Sequence, residues 1–167
     1  IAWGLVGSEM CIRDRCLIGY GYWGKNLARV FGKDLVGICD YNQDNLDKAK
    51  QLYDVQYFSS WEELYQSNLE YDTIAIATKA DTHFELANKF LQSNKNIWLE
   101  KPACIRTKDI EYLIKIRGDN KVFVDHTFVY HPAIQKIKTL NIGTPLYYDS
   151  HRISLGLFQK DVDAILD

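Results

Sequence analysis

The sequence of 167 residues has no sustained basic run, no cysteines at metal-ligand spacing, and no apolar stretch approaching the length of a membrane span. Each absence removes a class of function. With a formal net charge of -2, neither nucleic acid nor an anionic membrane is expected as the main partner. The four cysteines, Cys11, Cys16, Cys39 and Cys104, include no CxxC pair, so no metal is expected and a reduced, cytoplasmic protein is. No internal repeat or low-complexity linker divides the chain. What remains is 47% hydrophobic and 25% charged, an ordinary globular composition, and the length suits one domain or one domain and part of another.

What the chain does have is a glycine-rich turn at the head of an alternating pattern. Cys16-Leu17-Ile18 is a short apolar run, followed by Gly19-Tyr20-Gly21-Tyr22-Trp23-Gly24 and then a segment with Leu27, Val30 and Phe31 on one helical face. That is strand, glycine turn, helix. Gly19 would turn the chain off the strand, Gly21 would admit a pyrophosphate against the backbone, and Gly24 would let helix and strand pack closely. The next apolar strand, 34–39, ends in Asp40, at the distance where a carboxylate accepts hydrogen bonds from a ribose. An acid there repels the 2′-phosphate of NADP, and Tyr41-Asn42 supplies no arginine to hold one, so NAD is favoured. Taken singly, the glycine turn is equally compatible with a ligand-free loop, and Asp40 with a helix cap. Gly19 to Lys25 also fits the G-x-x-x-x-G-K spacing of an NTPase phosphate loop. There, however, Asn26 lacks the hydroxyl that would bind Mg²⁺.

The rest of the chain alternates strand and helix with short connections, the pattern of a parallel α/β sheet. A helix is expected over 45–53, a strand over 55–58, and a helix opened by the capping box Ser60 to Glu63. A buried strand over 71–78 ends at Thr78, and a helix follows over 84–91 with Asp81 or Thr82 as its cap. Strand 96–99 runs into Glu100-Lys101-Pro102, and helix 109–116 and strand 122–128 complete the alternation. From His131-Pro132 the pattern changes to a helix over 133–140, a turn and an alternating strand over 146–155, the opening of a second layer. Residues 1–15 fit none of this. The string GSEMCIRDR closely resembles translated sequencing-adaptor sequence and reads as a non-native leader, with Arg13-Asp14-Arg15 expected to break the first strand.

In this order the motifs resemble the Gfo/Idh/MocA oxidoreductases. The resemblance rests on GYGYWG at 19–24, Asp40, Ala75-Ile76-Ala77-Thr78 with Thr82-His83, Glu100-Lys101-Pro102, and His126-Thr127-Phe128 leading to Tyr130-His131-Pro132. It covers residues 16–167. It implies an N-terminal Rossmann-type, doubly wound parallel sheet for NAD(P) over 16–130, and then, from 131, the start of an α+β domain with an open, largely antiparallel sheet. It also implies hydride transfer between a nicotinamide and a sugar, cyclitol or sugar nucleotide, in a full-length protein that forms a homo-oligomer. By the same resemblance Gly19, Gly21, Tyr22, Trp23 and Gly24 would hold the pyrophosphate and Asp40 the adenosine ribose. Thr78 and His83 would line the path to the nicotinamide. Glu100 and Lys101 would flank nicotinamide and substrate, with Pro102 fixing the turn that aims Lys101.

Lys101 is the expected catalytic residue, because desolvation and a nearby cationic nicotinamide both disfavour its ammonium form and suit it to moving a proton. The partner histidine that the family supplies from its second domain is expected beyond residue 167, which would leave this chain catalytically incomplete. Two other readings compete. A cofactor- or sugar-sensing regulatory protein of the same fold has no need of Glu100-Lys101-Pro102, and a methyltransferase shares the glycine turn but does not call for Lys101-Pro102 after the fifth strand.

Overall fold

The structure, a computed structural model, describes residues 14–141 together with 143, 144, 146, 147 and 149. Six strands form one sheet: β1 (Arg15–Ile18), β2 (Leu35–Cys39), β3 (Gln56–Phe58), β4 (Thr73–Ile76), β5 (Asn96–Leu99) and β6 (Val122–Val124). Their order is β3-β2-β1-β4-β5-β6 and every pairing is parallel. Between and after them run α1 (Gly24–Phe31), α2 (Gln43–Lys50), α3 (Trp61–Gln66), α4 (Ala80–Gln92), α5 (Thr107–Ile116) and α6 (Pro132–Lys138). The chain starts in the middle of the sheet, builds outward to β3, returns beside β1 and builds outward to β6. This is the Rossmann order, with its switch point between β1 and β4.

Alternate strand residues feed two separate cores, as a pleated strand requires. Cys16, Ile18, Ile74 and Ile76 face α3, α4 and α5, where they pack with Leu64, Phe90 and Leu113. Leu17, Ile38 and Ala75 face the opposite side, against Leu27, Ala28 and Phe31 of α1 and Leu46 of α2. Both faces of the central strands are therefore buried, which is why they read as unbroken apolar runs. On the first face Trp61, Tyr65 and Phe90 meet edge to face, with ring centroids 5.7–6.5 Å apart.

Several boundaries differ from the sequence reading. Arg15 does not break β1 but opens it, its guanidinium 2.8 Å from Asp34 and stacked over the Phe31 ring. Ser60 caps α3 as expected, and the returning Glu63 carboxylate takes the N–H of Ser59, one residue earlier. Neither Asp81 nor Thr82 caps α4. The helix starts earlier, after Lys79, and the Thr82 hydroxyl bonds back to the Lys79 carbonyl. β6 stops at Val124 instead of running to Phe128, because Thr127–Tyr130 coil into a 3-10 turn. His131 Nδ1 accepts the Ala133 N–H and so caps α6. The strand expected over 146–155 lies outside the described residues except Leu146, Tyr147 and Asp149, which have no regular structure, and 1–13 and 161–167 lie outside them entirely.

Phe90 is wholly buried at the centre of the first core. Replacing it with alanine is expected to cost about 3–5 kcal/mol in urea unfolding, whereas Arg15→Ala at the half-exposed ion pair is expected to cost under about 1 kcal/mol.

Candidate functional site

The parallel strands end level with one another. Ile18 is paired with Cys39 and with Ile76, Ile76 with Leu99, and Leu99 with Val124. The hydrogen-bond ladder then continues one residue further. Gly19 N–H donates to Cys39 (2.8 Å), Ala77 to Ile18 (2.8 Å), Glu100 to Ile76 (3.0 Å), Asp125 to Leu99 (2.9 Å) and Asp40 to Phe58 (3.1 Å). The main chain thereby sets Asp40, Gly19, Ala77, Glu100 and Asp125 in a row along the carboxyl edge of the sheet.

Over this row lies a cleft of about 790 Å³. Its walls include eight of the residues expected from sequence: Gly19, Gly21, Tyr22, Trp23, Asp40, Thr78, Glu100 and Lys101. Gly19 has φ +94°, and a Cβ there would lie 2.6 Å from the Ala77 carbonyl oxygen. At Gly24 a Cβ would fall 1.8 Å from the Gly19 carbonyl oxygen, so α1 and the turn touch backbone to backbone. A Cβ on Gly21, by contrast, would meet nothing within 4 Å and would project into the space a ligand would fill. The start of α1 has no side-chain cap and no acid in its first turn. The Lys25 and Asn26 N–H groups already donate to the Gly21 and Trp23 carbonyls (3.4 and 2.8 Å), so an anion such as a pyrophosphate would be drawn there by the positive end of the helix dipole. These residues fit a dinucleotide.

Asp40 is 6% exposed and already well supplied with donors. Its Oδ1 accepts the Asn42 N–H at 2.8 Å, and its Oδ2 accepts the Tyr20 N–H at 2.7 Å and the Asn45 side-chain amide at 3.1 Å. With about four lone-pair sites on a carboxylate, one remains for a ribose hydroxyl. Asp40 therefore also holds the glycine turn in place through Tyr20, a role not read from the sequence.

Three expected residues stand behind the cleft wall. Gly24 packs on Gly19, as described. His83 does not line the cleft: it is 1% exposed, its Nδ1 2.8 Å from the Pro102 carbonyl oxygen and its Nε2 3.2 Å from the Thr78 carbonyl oxygen. It ties the end of β4 to the turn after β5, because the early start of α4 turns its ring into the protein. Pro102 is buried too and gives that carbonyl; the Lys101-Pro102 bond is cis.

Sequence reasoning missed other parts of the site. Ser59, Ser60, Trp61 and Glu62 form a far wall, and nothing in their types marks them. Asp125 had the same signal as Asp40 and Glu100, an acid directly after a strand, but the strand was drawn four residues too long. Glu100 is 6% exposed, and burial first, then the neighbouring Asp125 carboxyl, push its pKa up to about 7.

A parallel sheet in this order, with a glycine turn and a buried acid beside its switch point, is the arrangement of a dinucleotide-binding domain. The model of the GFO_IDH_MocA family, described as an oxidoreductase family with an NAD-binding Rossmann fold, matches residues 15–128. The chain belongs to this Gfo/Idh/MocA family. It is 26% identical over 156 residues to the UDP-N-acetylglucosamine 3-dehydrogenase of Acidithiobacillus ferrooxidans, covering 90% of this chain and 49% of that one. Among solved structures, the WlbA dehydrogenase of Bordetella pertussis in complex with NADH and UDP-GlcNAcA superposes with a TM-score of 0.68 at 26% identity, covering 75% of this chain and 40% of that one. Biliverdin reductase from Synechocystis, in complex with biliverdin and NADP+, gives 0.69 at 25%, covering 76% and 42%. The chain thus spans about half the length of the first of these relatives.

Two outcomes are expected. Gly24→Ala should lower unfolding stability by about 3 kcal/mol or more, while Gly21→Ala should change it by less than about 0.5 kcal/mol and weaken NAD binding measured by calorimetry. At Glu100 the raised pKa means that the folded state holds a proton the unfolded chain releases, so stability falls as pH rises from about 4.5 to about 7. Glu100→Gln, whose amide can still donate to Asp125, should remove that slope and add on the order of 2 kcal/mol at pH 8 and nothing at pH 4.

Proposed function

We propose that the whole protein is an NAD-dependent dehydrogenase acting on a hydroxyl-bearing carbon of a sugar nucleotide. The observation that carries this reading is the placement of Lys101 on the wall of the same cleft that holds Gly21 and Asp40 at its other end. The two relatives whose names include a UDP-sugar support the substrate class.

When bound, NAD supplies the hydride acceptor. The chain's own residues do the rest. Gly21 and the start of α1 hold the pyrophosphate against main-chain N–H groups, with Tyr22 and Trp23 beside them. Asp40 takes one ribose hydroxyl on its remaining lone pair, and its buried charge opposes a 2′-phosphate. Thr78, its hydroxyl 2.7 Å from that of Thr82, stands at the end of β4 between the two halves of the cleft. Lys101 orients the reacting hydroxyl and receives its proton as the carbon–hydrogen bond breaks with its electron pair. His83 and Pro102 position Lys101 from behind. A reducing, cytoplasmic setting belongs to the same reading, since Cys16, Cys39 and Cys104 are buried free thiols and burial pushes Cys39 up to about 12.

Calorimetry with NAD+ and NADP+ tests the cofactor half. NAD+ is expected to bind at least about tenfold tighter, a difference of about 1.4 kcal/mol, and Asp40→Asn to shrink that preference. In the whole protein, Lys101→Met should leave NAD+ affinity within about threefold while lowering NADH formation from UDP-N-acetylglucosamine by about 10²–10⁴. A folded chain that binds neither dinucleotide overturns the reading, and NAD+ binding without any hydride transfer by the whole protein is the result expected of a sensor.

A further inference from the structure

Asp125 has no part in the mechanism above, yet it stands where it can act on it. It follows β6 as Glu100 follows β5, and the pairing of Leu99 with Val124 makes the two acids cross-strand neighbours. Strands in a sheet lie roughly 4.8 Å apart and adjacent residues of a parallel pair point the same way. The Asp125 carboxyl stands close enough to oppose the ionisation of Glu100. Two neighbouring carboxyl groups resist ionising together, which favours a single proton held between them. Glu100 Oε1 is buried and has no hydrogen-bond partner. Beside the pair is a second, small cavity of about 30 Å³, lined by Trp23, Glu100, Lys101, Asp125 and Thr127. That is room for one water molecule, which an orphaned buried oxygen would hold. Trp23, Glu100 and Lys101 also line the main cleft, so the cavity adjoins it. On its other side Asp125 is half-buried and reaches solvent.

We infer that Glu100 and Asp125 hold one proton in common and, through a water in this cavity, form a relay that exchanges protons between Lys101 and solvent. The inference rests on the reading of Lys101 as the residue that takes the substrate proton. In the oxidation direction an N–H bond of the Lys101 ammonium breaks as the water gains a proton, and the water passes one of its own to Glu100 Oε1. The shared proton shifts to Asp125, which releases a proton to bulk solvent. One proton leaves Lys101, one reaches solvent, and no electrons change hands. With Glu100 poised at about 7, the pair gains and loses a proton near neutrality. The charged groups acting on Glu100 among the described residues are Asp125 from β6 and Lys101 from its own turn. Asp125 opposes its ionisation and Lys101 favours it.

The test is a pH titration of the side-chain carboxyl carbons by ¹³C NMR on the full chain, with Asp125→Asn, Glu100→Gln and Lys101→Met as variants and thermal melting as a check on folding. Glu100 should titrate near pH 7. Asp125→Asn should move its midpoint down by about one unit or more, and Lys101→Met should move it up. NAD+ affinity, measured separately, should stay within about threefold in Asp125→Asn. In the whole protein, Asp125→Asn should shift the pH profile of kcat with KM for NAD+ unchanged. A Glu100 that titrates in the ordinary carboxylate range, or that ignores Asp125→Asn in a folded chain, overturns the relay, as does a kcat profile superimposable on that of the unmodified protein. Failure of NAD+ binding with the paired titration intact would instead sink the cofactor reading and leave the shared proton standing.

Discussion

The site depends on the level ending of five parallel strands. A hydrogen-bond ladder that runs one residue past each strand leaves no freedom in where Asp40, Gly19, Ala77, Glu100 and Asp125 stand. The two buried cores hold the strands in that register, because a slip of one residue would exchange the residues facing α1 and α2 for those facing α3, α4 and α5. Packing on both faces is thus what aligns the chemistry at the edge.

Most of the architecture was legible because a doubly covered parallel sheet leaves a coarse mark. Residues 74–76 are apolar without interruption since both faces are buried, and β5 could be read to its exact ends because polar residues bound it on each side. Boundaries failed where a local hydrogen bond outweighed pattern. At the start of α4, Thr82 looked like a cap, but its hydroxyl satisfies the Lys79 carbonyl from inside the helix. After β6, the run 126–130 has strand-like residue types, yet the backbone closes a 3-10 turn, with the Val129 N–H on the His126 carbonyl. Neither outcome has a signature in residue type alone.

For the site, the glycine turn and the acids were legible and their wiring was not. Spacing identified Gly19, Gly21, Gly24 and Asp40, but it could not show that Asp40 spends three of its lone pairs on Tyr20, Asn42 and Asn45. The same carboxylate is thus both a brace for the turn and part of the cleft wall. His83 shows the converse. The sequence expected it along the cleft, but a histidine buried against backbone carbonyls and a histidine facing a ligand have the same letters around them.

The row at the sheet edge has one more consequence, for how such a protein can vary. Gly19 is fixed by its backbone and Asp40 by the turn it braces, but Ala77, Glu100 and Asp125 are positioned by main-chain bonds that any non-proline residue could make, while the side chains that seal the cores belong to other positions. Those three slots at the edge can therefore be rewritten one letter at a time, each contributed by a separate unit of strand and helix. A single scaffold could diversify in chemistry without repeatedly passing through unfolded intermediates.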